Sequence, residues 1–94
     1  MSRPRVNPEE AAREAFRREI RVLRAQCDMK QSALADVVGV VPSVMSNLLA
    51  DPDKISVGRM RRIVGALKPD LMVMLTLLGY SKRDLKELQK ENSL

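Results

Sequence analysis

The chain has 94 residues, 45% hydrophobic and 31% charged, and its 17 Lys and Arg against 12 Asp and Glu leave a net charge of +5. That length fits one domain with a thin core, which a partner subunit would help to complete. With no His and one Cys, His-based nucleophile pairs, internal disulfides and Cys/His metal clusters are excluded. No Gly-rich phosphate loop or paired-carboxylate motif appears. The sequence therefore points to a binding protein rather than an enzyme, with no cofactor. A basic balance favours polyanionic partners.

One Phe, one Tyr and no Trp leave Leu, Val, Ile, Met and Ala to build the core. That mix suits an all-α fold of five to six short helices. Residues 1–7 read as a flexible basic arm carrying Arg3 and Arg5. Asn7-Pro8-Glu9-Glu10 gives a helix start, with a cap, a first-turn Pro and acids at the positive end of the dipole. Ala12, Phe16, Ile20, Leu23 and Cys27 then form one apolar stripe, which predicts a helix over 8–27 with a packed thiol at its end. Glu9 and Arg13, and Glu14 and Arg18, are spaced for ion pairs four residues apart.

A short helix is predicted from Gln31 to Val38, ended by Gly39, and another from Pro42 to about Ala50. Asp51-Pro52-Asp53 is a loop. Ser56 caps a fourth helix with Val57, Met60, Ile63, Val64 and Leu67 on its apolar face; Arg61 and Arg62 fall on its solvated side. Pro69 separates it from a fifth helix over Asp70 to Leu78, stopped by Gly79. Ser81 and Asp84 make a variant capping box for a final helix that buries Leu85 and Leu88.

The stretch from Gln31 to Leu49 carries the functional signal. Two short helices meet at a tight Gly turn, with small Ala35 at the close approach and Leu34, Val38, Val40, Met45 and Leu48 pinning the second helix on the first. This pattern resembles the helix-turn-helix of phage repressor and Cro proteins, the lambda-repressor-like or XRE family. Ile20 to Arg24 with Met29-Lys30-Gln31, the helix beginning at Ser56, and Asp70 to Tyr80 are similar to the flanking helices of that family. The resemblance spans residues 18–80 without a gap.

The resemblance implies a sequence-specific DNA-binding transcriptional regulator, a Cro-like repressor of phage or mobile-element type. Pro42, Ser43, Ser46 and Asn47 would face the bases. Ser43 and Asn47 lead, being four apart on one helical face. Gln31 would contact a phosphate and brace the recognition helix. Lys30, Lys54, Ser56, Arg59, Arg3 and Arg5 complete the expected backbone contacts. Val41 and Lys30 stand where capping residues are usual, and Leu49 replaces a frequent Glu, so Arg24 lacks its usual partner. Residues 31–53 contain no Lys or Arg and three Asp, whereas residues 1–30 hold 8 basic and 5 acidic residues. One copy should therefore bind weakly, because phosphate contacts dominate affinity for DNA.

Leu71 to Leu78 is apolar at seven of eight positions, more than one small domain covers unless the final helix acts as a lid. Leu71, Met72, Met74, Leu75 and Leu78 are the expected homodimer surface. The partners expected are palindromic double-stranded DNA and a second copy. An antitoxin-type interaction protein that binds a partner protein and autoregulates its operon is the alternative. A membrane partner is not expected, because no signal peptide or long apolar run is visible and the fifth helix has no basic polar face. The chain divides into an arm (1–7), a DNA-binding domain (8–80) and a C-terminal helix and tail (81–94), and a cytoplasmic location in a bacterial or phage-infected cell is expected.

Overall fold

A computed structural model describes the backbone of residues 8–92 and the side chains of 8–91. The expectations for Arg3 and Arg5 lie outside the described residues. Six α-helices follow one another: α1 (Pro8–Gln26), α2 (Gln31–Val38), α3 (Pro42–Ala50), α4 (Val57–Leu67), α5 (Leu71–Leu77) and α6 (Lys82–Asn92), with a 3-10 turn at Pro52–Lys54. No strand occurs among the described residues, and the chain is all-α. No single helix among them is long and apolar enough to cross a membrane.

Three local signals account for the later helix starts. The Ser56 hydroxyl accepts from the Arg59 N–H at 3.2 Å, capping α4, and the Asp70 carboxylate accepts from the Val73 N–H at 2.8 Å, capping α5. Ser81 and Asp84 form the reciprocal box. The Ser81 N–H donates to Asp84 Oδ2 at 2.9 Å and the Asp84 N–H donates to Ser81 Oγ at 3.2 Å. Asp70 is thus a cap rather than the first helical residue, and α5 is one residue shorter at each end than the expected span Asp70 to Leu78.

The core is aliphatic around one ring. Phe16, Ile20 and Leu23 of α1 meet Leu34, Ala35 and Val38 of α2, Met45 of α3, Ile63 and Leu67 of α4 and Leu77 of α5. Leu34, Ala35, Met45 and Ile63 are fully enclosed. This places α2 and α3 on a single packed foundation, and each buried Leu, Ile or Met there contributes about 1.5–3 kcal/mol through loss of water contact. Leu85 of α6 is buried and Leu88 half-buried, so α6 does cover part of α5.

Two expectations are corrected. α1 ends at Gln26, so Cys27 falls in the turn beyond it and is exposed, with Sγ 3.8 Å from the Leu67 carbonyl. The stripe's 3.6-residue period extends one residue past the helix that generates it. On α1, Glu14 pairs with Arg17 rather than with Arg18, and Glu10 pairs with both Arg13 and Arg17. Arg62 is exposed on α4 as expected, and its guanidinium also donates to the Val38 carbonyl at 3.0 Å, satisfying the C-terminal end of α2.

Candidate nucleic-acid interface

The turn between α2 and α3 sets the geometry. Gly39 has φ +84°, in the left-handed region, and its N–H bonds the Ala35 carbonyl at 2.9 Å while the Val40 N–H bonds the same oxygen at 3.0 Å. A side chain at residue 39 would also place its Cβ 3.0 Å from the Arg62 guanidinium. The chain therefore turns through about a right angle within three residues, α3 leaving α2 at 93°.

Burial on α3 is one-sided. Met45 and Leu48 face the core, whereas Pro42, Ser43, Ser46 and Asn47 are all exposed. These are the four residues expected to read bases, and they share the open side of a helix whose other side is fixed. Gln31, at the start of α2, donates from Nε2 to Ser46 Oγ at 3.0 Å, the bracing contact expected of it. Ser46 is consequently tethered; Ser43 and Asn47 have no hydrogen-bond partner among the described side chains and present free polar groups. α3 has no side-chain N-cap, since Val41 supplies none; Pro42 in its first turn fixes φ instead.

Cationic groups border this helix on the α1 side. Arg17, Arg21 and Arg24, at helical spacing on α1, line a cleft of about 460 Å³ together with Gln31, Ser46 and Leu49. Arg21, Arg24 and Lys30 line the adjoining hollow. Arg21 and Lys30 are exposed and without an ion pair among the described residues. Arg24, lacking a carboxylate opposite Leu49, donates from Nε to the Met29 carbonyl at 3.2 Å. Arg17 differs from these neighbours because Glu10 and Glu14 hold its guanidinium. Arg21 and Arg24 were not among the expected phosphate contacts. Their spacing on α1 carries the signal, but only the packing of α1 beside α3 gives it meaning.

Lys54, Ser56 and Arg59 follow α3 in the chain. Lys54 is exposed and lies 3.8 Å from the Asp51 carboxylate, which partly offsets its charge. The Ser56 oxygen is occupied as the α4 cap, leaving its O–H free to donate. Arg59 is half-buried and has no ion pair among the described residues.

Of the expected dimer surface, Leu71 (68% exposed), Leu78 (58%) and Met72 (40%) are open, whereas Met74 and Leu75 are half-buried. Gln89 of α6 reaches Met72, its Nε2 4.0 Å from the sulfur. The open edge of α5 is therefore narrower than its apolar run suggests.

Comparison with protein-family models, with curated proteins and with solved structures found no match to this chain.

Proposed function

We propose that this protein is a sequence-specific DNA-binding transcriptional regulator of helix-turn-helix type, similar to the lambda-repressor-like or XRE proteins, acting as a homodimer in the cytoplasm. The observation that carries this reading is the one-sided burial of α3. A short helix with Met45 and Leu48 locked in the core holds Pro42, Ser43, Ser46 and Asn47 outward, and Gly39 sets it off from α2 at 93°. A rigid, projecting helix with short polar side chains fits the width of a major groove.

In this reading Asn47 pairs with an adenine edge and Ser43 takes a neighbouring base. Arg21, Arg24, Lys30 and Gln31 contact phosphates along one flank, with Lys54, Ser56 and Arg59 contributing further backbone contacts. Occupation of a palindromic operator by two copies, joined through the open edge of α5, represses the promoter it overlaps. Asn47→Ala tests the assignment. It is expected to weaken binding to the operator by about 1–3 kcal/mol and to leave binding to unrelated DNA unchanged. Equal losses on both DNAs, or none, would contradict it.

The exposure of Leu71 and Leu78 also supports an antitoxin-type role in which that edge receives a partner protein. Co-purification of a defined partner encoded beside this gene, released by Leu71→Glu, would favour that role.

A further inference from the structure

We infer that Arg17 is the positioning residue for α3, fixing the end of the helix that carries Asn47 without itself touching DNA; the DNA half of this inference rests on the function proposed above. α3 is nine residues long, too short to be stable alone. Its N-terminus has no side-chain cap, and Asp51, the residue that follows its last turn, sits at φ −134°, so no left-handed cap turns back on the last carbonyls. Among the described residues, the backbone satisfies only the Asn47 carbonyl there, through the Asp51 N–H at 3.0 Å. Arg17 supplies what is missing. One guanidinium nitrogen donates to the Ala50 carbonyl at 3.2 Å and the Leu49 carbonyl at 3.4 Å, bridging 32 and 33 residues of sequence. A cation at the negative end of a helix is also favourable in its own right.

The guanidinium is aimed by acids rather than left for phosphate. Its second nitrogen bonds Glu14 and, at 3.3 Å, Glu10. Glu10 in turn holds Arg13 at 3.0 Å, and Arg13 reaches Asp53 at 3.0 Å just past α3. Two carboxylates offset the charge of Arg17, which separates it from Arg21 beside it. α3 is thus tethered twice outside the core: by Gln31 at Ser46 and by Arg17 at its last turn.

The test pairs amide exchange with DNA binding on the full chain. Arg17→Met keeps the apolar stem and removes the donors; Arg17→Lys keeps the charge and a donor. Arg17→Met is expected to speed exchange at Leu49, Ala50 and Asp51 about tenfold relative to the α1 and α4 interiors. It should also lower the ratio of operator to random-DNA affinity about tenfold while leaving the salt slope intact. Arg17→Lys should restore part of both. Unchanged exchange in Arg17→Met overturns the inference, as does a salt slope reduced by about one with the ratio unchanged, which would make Arg17 a phosphate contact. If the wild-type chain prefers no DNA, the proposed function fails while the exchange data still decide the tether. Should Arg17→Met not fold, the wild type decides. Slow exchange at Ala50 and Asp51 supports the tether, and exchange as fast as at the exposed end of α6 overturns it.

Discussion

Gly39 carries two constraints at one atom. Its φ of +84° costs any other L-residue energy, and an added Cβ would stand only 3.0 Å from the Arg62 guanidinium, which would have to give way slightly. Gly39→Ala should therefore destabilise the fold by about 1–2 kcal/mol or more, read as a lowered denaturant midpoint at unchanged slope. It should also loosen the Arg62 bond to Val38. A midpoint within error of wild type would mean that the turn relaxes freely. The residues facing outward on α3 are governed differently. Ser43 and Asn47 contribute little to the fold, because their side chains have no partners within it, so their substitution should register in binding and not in stability.

Residue types explain which roles could be read in advance. Gly39, Pro42, Ser56 and the Ser81–Asp84 pair act on neighbours within four positions, and their roles were legible in the sequence. Arg17 and Arg62 act on backbone carbonyls 24 to 33 residues away. A carbonyl has no residue identity, so neither contact leaves a pattern in the sequence. The left-handed turns at Asp28 and Lys68, each at φ +51°, were equally silent, since neither is the Gly that usually marks such a site.

Among the elements, α1 organises its neighbours through charge as well as core contacts. Glu10 titrates below the usual carboxylate range because Arg13, and then Arg17, hydrogen-bond its ionised form. Asp84 is lowered by the Ser81 N–H and then by the Ser81 hydroxyl. A carboxylate with a depressed folded-state pKa stabilises the fold above its ordinary value, and that contribution is lost as pH falls through the folded one. Thermal stability should thus decline as pH drops below about 4. Glu10→Gln should flatten that decline, and an unaltered pH profile in this variant would remove Glu10 from the account. The periodicity of α1 foretold its buried stripe, but not that Glu14 turns to Arg17 instead of Arg18. The rotamers that bring Glu10 to Arg13 and Glu14 to Arg17 are chosen by α3 and the 3-10 turn packed across that face. Arg21 and Arg24 became candidate site residues for the same reason: α1 borders α3, which no local pattern encodes.

At the scale of the whole molecule, the thin core and the open edge of α5 belong together. Leu71 at the start of α5 and Leu78 just past its end remain exposed after α6 has packed. A second copy would cover them and set two α3 helices about 34–36 Å apart on DNA, one turn of the duplex. Leu78→Glu should give a folded monomer by sedimentation and lower operator affinity about 10²–10⁴-fold through loss of avidity. A wild-type chain already monomeric at high concentration would contradict this assembly. The all-α architecture and all six helices were legible from caps and periodicity. How much of α5 stays open was not, because that depends on how α6 lies across it.

The measurement closest to the central claim is fluorescence anisotropy of the full chain with the DNA flanking its own gene and a scrambled control, at low and high salt. A sequence-reading α3 flanked by phosphate contacts predicts tighter binding to the flanking DNA, with a preference that persists as salt rises while both affinities fall. Equal affinities that vanish together at high salt would mean that only the basic surface of α1 meets DNA, and would contradict the assignment of α3 as a recognition helix.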